Sequence, residues 1–280
     1  MSDEQQSSPG PSLDQYVHIF RKSLPARVKL GEIARCLGTL TDEKCLAVIA
    51  DDVMIAQQLS QRGGTWQVLR LSDSNSSGPT PGIGHTKYWN EGKFPFKDKT
   101  FDVIVILDIV ERAHDDSTLI LECHRVLKAA GRLVVSAPRV TTISLLRPLR
   151  SMLGVTYDRR GWVRPGYTES QLFNVLKDGF DVHEVRSYGG FFAEFLRIIS
   201  DTVKRRSGHD DRVPSARALR FHSSLYPFFW VAYNLDLLLF FSRGYYLTAV
   251  AKRRAWLPRK TPILSDGRTI SEAVLNRIAD

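Results

Sequence analysis

Cysteine is scarce in this chain, and Cys36, Cys45 and Cys123 stand far apart. No CxxC pair exists, which removes the common spacing of a zinc site, and an odd count supplies no disulfide framework. Such usage fits a reducing compartment and predicts a cytoplasmic location. The opening MSDEQQSSPGPS lacks both the basic start and the apolar core of a signal peptide, and 1–12 reads as a disordered tail. Internal repeats are absent. The longest apolar run, Leu225–Phe241, is slightly short for a membrane span and contains Pro227, Asn234 and Asp236.

What is present is an ordinary globular composition. Of 280 residues, 43% are hydrophobic and 25% charged, enough to bury a sizeable core in one large domain or one domain with an insertion. Net charge is +9, which favours anionic partners such as nucleic acid, an acidic lipid surface or a phosphorylated substrate, or simply keeps the surface soluble. Nucleic acid is the weakest of these readings, because the basic residues are scattered and come without a recognition motif.

Apolar periodicity predicts alternating helices and strands. Helices are expected over 13–40, broken by Pro25, and from a cap at Asp51 to Arg62, where Gly63 and Gly64 stop the chain. Others are expected from the Asp115–Ser117 cap to Lys128, stopped by Gly131, and over 142–153 and 169–177. Strands are expected at 44–50, 66–71, 85–89, 101–107, 133–137, 180–186 and 245–251, with a loop over 72–84. FDVIVIL, Phe101–Leu107, is apolar on both faces, as in a parallel sheet covered by helices on either side. The pattern predicts a Rossmann-like, doubly wound, mostly parallel seven-stranded α/β sheet with a helical insertion before the last strand. The expected divisions are the tail 1–12, helices 13–40, an α/β core 41–188, an apolar and basic insertion 189–243, a final strand 244–252 and a second tail 253–280. The insertion reads as a buried or lid helix, or as a membrane-facing surface helped by Lys204–Arg206 and Lys252–Arg254.

Open α/β sheets bind ligands beyond the carboxyl ends of their strands, here 50–53, 71–73, 108–114 and 138 onward. Acidic side chains there suit hydroxyl or ammonium groups, though Asp108 and Glu111 could equally cap or solvate a loop.

The run FPFKDKTFDVIVILDIVERAHDDSTLILECHRVLKAAGRLVVSAP resembles the type 11 family of class I S-adenosylmethionine (SAM)-dependent methyltransferases, which typically reads LPFxDxSFDxVxxxxxLEHxxDxxxxLxExxRVLKPGGxLxxxxP. Phe94, Pro95, Phe96, Asp98, Phe101, Asp102, Asp108, Glu111, Asp115, Glu122, Arg125–Lys128 and Gly131 carry the likeness. GWVRPGYTESQL, Gly161–Leu172, is similar to a segment that lies over the active site in some relatives. The resemblance implies SAM as cofactor, with Ala50 and Asp51 near its amino-acid part, Ser72 or Asp73 near the ribose, and Asp108 and Ile109 beside the methyl-transfer site. His114, Arg164 and Tyr167 are the substrate-side candidates for a small-molecule or lipid-linked substrate. Their ordinary alternatives are an exposed loop histidine, a local ion pair and a packed loop aromatic.

The family's glycine-rich turn after the first strand is missing. AVIADDVMIAQQL has no glycine from Ala47 until Gly63, and Val53, Met54 and Ile55 stand where the backbone must approach the cofactor. Two readings therefore stay open: a SAM-dependent methyltransferase with a divergent cofactor site, or a non-catalytic scaffold or partner subunit of the same fold, working with a protein partner or at a membrane surface through 189–254.

Overall fold

The computed structural model describes residues 13–72, 86–140, 146–155, 161–206, 216–239 and 243–255. Seven strands form one sheet: β1 (Lys44–Ile49), β2 (Thr65–Leu71), β3 (Thr86–Trp89), β4 (Phe101–Leu107), β5 (Leu127–Pro138), β6 (Phe180–Tyr188) and β7 (Tyr246–Arg253). Their order is β3-β2-β1-β4-β5-β7-β6. β1 to β5 are mutually parallel, and β7 runs antiparallel between β5 and β6. The helices are α1 (Leu13–Lys22), α2 (Leu24–Leu37), α3 (Val53–Ser60), α4 (Asp116–Val126), α5 (Leu146–Met152), α6 (Glu169–Leu176), α7 (Phe191–Arg206) and α8 (Ala216–Leu238).

Alternation along the central strands splits the core into two layers. Cys45, Ala47 and Ile49 of β1, with Val103, Val105 and Leu107 of β4, meet α2 and α3. Leu46 and Val48, with Ile104 and Ile106, meet Leu119, Ile120 and Cys123 of α4 and Leu172 and Leu176 of α6. α2 buries Leu30, Ile33 and Leu37 at three- and four-residue steps, each worth about 1.5–3 kcal/mol on removal from water. Lys29 lies on that same buried side.

Local chemistry sets most boundaries. The first helical stretch breaks at Ser23, and Pro25 sits in the first turn of α2, where its missing N–H costs nothing. Asp115 caps α4, accepting from the Thr118 amide at 3.1 Å. Thr168 and Gln171 cap α6 reciprocally. Two expectations are corrected. Asp51 does not cap α3; the N-cap position is Asp52, with no side-chain cap bond. Gly131 does not stop a helix: α4 ends at Val126 and β5 already runs from Leu127. Gly131 serves the strand instead, because a Cβ there would lie 2.9 Å from the Asp102 carbonyl and 2.7 Å from Leu127 Cγ. The apolar run at 225 onward is the second half of a longer helix, α8. The expectations for 1–12, 73–85, 142–145 and the tail after 255 fall outside the described residues.

α7 and α8 form an antiparallel hairpin. Asp236, near the end of α8, accepts the amides of Phe192 (2.8 Å) and Ala193 (3.0 Å) at the start of α7. At the other end Lys204 Nζ lies 5.5 Å over the Phe221 ring. The hairpin packs against α1 and α2 and roofs the carboxyl ends of β1 and β4. Among the described residues no helix is long and apolar enough to cross a membrane.

Candidate functional site

Ile49 of β1 pairs with Leu107 of β4, so Ala50 and Asp108 leave the sheet side by side. On opposite sides of β1 and β4 the chain moves outward in opposite directions, which is the switch point where such sheets bind ligands. Asp108 takes φ +48°, a left-handed conformation that aspartate tolerates better than most residues.

Into this switch point α2 delivers Lys29. Its Nζ donates to Asp52 Oδ2 at 2.5 Å and to Asp108 Oδ2 at 2.7 Å. The Lys29 side chain is 10% exposed, those of Asp52 and Asp108 29% and 21%. Burial alone would lower the Lys29 pKa, but the Asp108 and Asp52 carboxylates outweigh it and hold the ammonium well above its ordinary value. Asp51 is engaged separately, by Arg112 Nη2 at 2.8 Å. Ser136 Oγ lies 3.4 Å from Asp108 Oδ1 and 3.1 Å from the Tyr188 hydroxyl. The Tyr188 ring stacks on Tyr246. A cavity of about 250 Å³ opens beside these groups, walled by Asp52, Ile55, Asp108, Tyr188 and Tyr246 and roofed by Arg197 and Tyr233 of the hairpin.

The expected site residues are only partly assembled. Asp108 lines the cavity. Ala50 is buried, and its carbonyl accepts from Arg70 Nε at 3.1 Å. Ile109 is fully buried in the core on the α4 side. Ser72 is exposed, its amide extending the β2–β3 pairing to the Trp89 carbonyl at 2.8 Å. Asp73 lies outside the described residues. His114 is exposed and pairs with Glu91 at 2.9 Å.

Tyr167 and Arg164 stand apart from the cavity, on the opposite face of the sheet. The Tyr167 hydroxyl lies 2.7 Å from Asp116 Oδ2 and 3.0 Å from the Val110 carbonyl, and accepts from Arg164 Nη1 at 3.0 Å. Arg164 also pairs with Asp116 and donates to the carbonyls of Ala113 and His114. Burial and the bond to Asp116 push the phenol well above its ordinary range. This is a knot that ties 161–168 to the loop after β4. Tyr167→Phe should therefore cost about 1–3 kcal/mol in urea unfolding. An unchanged midpoint would remove the knot as its role.

Sequence reasoning missed Lys29, and read Glu111 as a strand-end acid without foreseeing its burial. Glu111 is fully buried, and neither carboxyl oxygen has a partner among the described residues. The one available signal for Lys29 was a lysine in helical phase with Ile33 on an apolar face.

These residues can be tested against SAM, the cofactor that the resemblance implies. SAM brings an ammonium and a sulfonium, and needs carboxylates and close backbone. Here Asp52 and Asp108 already hold Lys29, and Asp51 holds Arg112. The turn from Ile49 to Val53 carries no glycine, and Val53 and Ile55 are packed into the core. As arranged, the site does not fit SAM.

Residues 89–135 match the family model of a methyltransferase domain. No curated protein matches the chain in sequence. Among solved structures, it is similar to the [4+2]-cyclase SpnF, at 14% identity and a TM-score of 0.54, over 82% of this chain and 81% of that one. It is also similar to the phosphoethanolamine N-methyltransferase 2 of Haemonchus contortus in complex with SAM, at 15% identity and a TM-score of 0.53. That match covers 86% of this chain and 56% of the other. A third, described as a sarcosine dimethylglycine methyltransferase from Galdieria sulphuraria, has 14% identity and a TM-score of 0.51, over 85% and 98%. A cyclase among these neighbours illustrates that the fold alone does not fix the reaction. Residues 89–135 thus resemble a methyltransferase domain, and the fold of the chain is similar to that of these solved structures.

Proposed function

We propose that this methyltransferase-like chain works by binding rather than by methyl transfer, as a scaffold or partner subunit whose contacts are made by the α7–α8 roof. The observation that carries this reading is the Lys29 ammonium seated between Asp52 and Asp108. The chain supplies its own cation at the place where a cationic cofactor would need carboxylates. A ligand that had to displace it would first break a part-buried ion pair at a cost of about 3–5 kcal/mol. That lowers its apparent affinity by roughly a thousandfold.

Calorimetry and thermal shift with SAM and with S-adenosylhomocysteine, each at roughly millimolar concentration, test the reading. No heat and no shift in Tm are expected. Saturable binding with a Tm rise would overturn it, since a ligand at a hundred times its Kd stabilises by about 2.7 kcal/mol.

A second reading, a methyltransferase acting on a small substrate, is favoured by the cavity beside Asp108 and Tyr188. Its volume of about 250 Å³ falls below the roughly 300–1,000 Å³ usual for ligand pockets. That size suits a small polar substrate better than a lipid chain, and requires Lys29 to swing away before a cofactor could enter.

A further inference from the structure

Among the described residues α8 turns one side to α7, α1 and α2, and its other side is exposed. Positions 217, 220, 224, 227, 228, 231, 234, 235 and 238 are all exposed and recur at three- and four-residue steps, so they form a single stripe. The N-terminal half of the stripe is cationic, with Arg217 and Arg220. The C-terminal half is apolar: Phe228 (60% exposed), Val231, Leu235 and Leu238 (70%) lie on it, flanked by Trp230 and Leu237 (72%). Contiguous apolar exposure of this kind marks an interaction surface rather than ordinary scatter.

The charges select the partner. The antiparallel hairpin brings the exposed Arg206 at the end of α7 to the Arg217–Arg220 end of α8, while Arg205 is turned to the carbonyls of Leu153 and Gly154. Asp236, the one acidic residue of α8, faces inward to the amides of Phe192 and Ala193. The open stripe therefore carries positive charge and apolar surface with no acidic group of its own helix. Asn234, the polar residue within the apolar half, donates Nδ2 to the Trp230 carbonyl at 2.7 Å, which lowers the cost of desolvating it. A partly aromatic apolar face with arginines beside it, on a helix that does not span a membrane, matches a helix lying in a lipid interface.

We propose that this face docks on an anionic lipid bilayer, with the apolar half of α8 set into the interface and Arg206, Arg217 and Arg220 against the headgroups. The proposal names the partner of the roof, and for the roof's role it rests on the binding reading above. SAM titration and vesicle binding are separate measurements, so either can fail alone.

The test is co-sedimentation of the full chain with vesicles of phosphatidylcholine alone and of phosphatidylcholine mixed equally with phosphatidylglycerol. Pelleting with the mixed vesicles, weakened by added salt, is expected, with little on the neutral ones. Leu237→Glu combined with Leu238→Glu should reduce binding at least about tenfold. Arg217→Glu combined with Arg220→Glu should reduce it roughly thirtyfold on the anionic vesicles. All four positions are exposed, and an unchanged melting curve verifies that each variant is folded. Absence of pelleting with the anionic vesicles overturns the proposal, as does equal pelleting of the wild type and both variants. A wild-type dimer that the leucine variant disperses, without vesicle binding, assigns the face to a second copy and also overturns it.

Discussion

Lys29→Met is expected to lower stability by about 3 kcal/mol. The figure is the low end of the range for breaking a buried ion pair, because Asp52 and Asp108 keep 29% and 21% of their side chains exposed. Methionine fills a similar volume, so the loss measures charge rather than a cavity. Without the ammonium, two carboxylates that share one cation face each other uncompensated. Asp52 shows the strain already: burial raises its pKa, Lys29 lowers it, the Asp108 charge raises it again, and the net direction is upward.

Urea unfolding across pH gives the sign. The folded-state pKa of Lys29 lies above its unfolded value. Its contribution is therefore complete below the unfolded value of about 10.4 and is lost as pH rises through the folded one. In the variant this alkaline loss disappears. In its place, stability should rise as pH falls, because burial and the Asp108 charge already raise the Asp52 pKa and Lys29 no longer opposes them. Adding Asp52→Asn and Asp108→Asn to Lys29→Met should recover most of the loss. A single variant within about 0.5 kcal/mol of wild type would mean that Lys29 is no more than a surface charge.

Glu111→Gln is expected to do the opposite and stabilise the protein at neutral pH, by about 1–3 kcal/mol. Glu111 is fully buried without a side-chain partner among the described residues. Burial, and then the Asp108 charge, raise its pKa well above the ordinary carboxyl value, against smaller opposing effects of Lys29 and Arg112. The folded state thus holds the proton more tightly than the unfolded chain. Its contribution is most favourable below the unfolded value of about 4.3 and is lost as pH rises through the raised folded value. The amide cannot ionise, so the variant should lose that slope while keeping nearly the same shape. Parallel stability profiles for the two proteins between roughly pH 4.5 and 8 would show that Glu111 carries no such cost.

Both expectations concern residues whose importance depends on partners remote in the chain. Lys29 meets Asp108 across 79 positions. Glu111 is costly only because the loop after β4 and the segment at 163–164, whose amides bond its carbonyl, enclose it. Hydrophobic periodicity registers neither relation, since it reports which face of an element is buried and says nothing about which charge meets which.

The sequence by itself determined the sheet. Apolar runs such as FDVIVIL and LVVSA can be satisfied only as strands covered on both faces, and their alternation with helical patterns leaves few arrangements. It also determined the loss of the glycine turn, because backbone approach is a property of residue type. Tertiary structure alone decided what fills that place. The pairing of Ile49 with Leu107 sets Asp52 and Asp108 within reach of one cation, and the packing of Leu30, Ile33 and Leu37 aims Lys29 between them. It likewise decided that Tyr167 and Arg164 tie a loop, and that half of α8 faces outward. The physical reason is range. Local pattern follows from backbone geometry and hydrophobicity within a few residues, whereas ion pairing and exposure depend on which distant elements come to lie against each other.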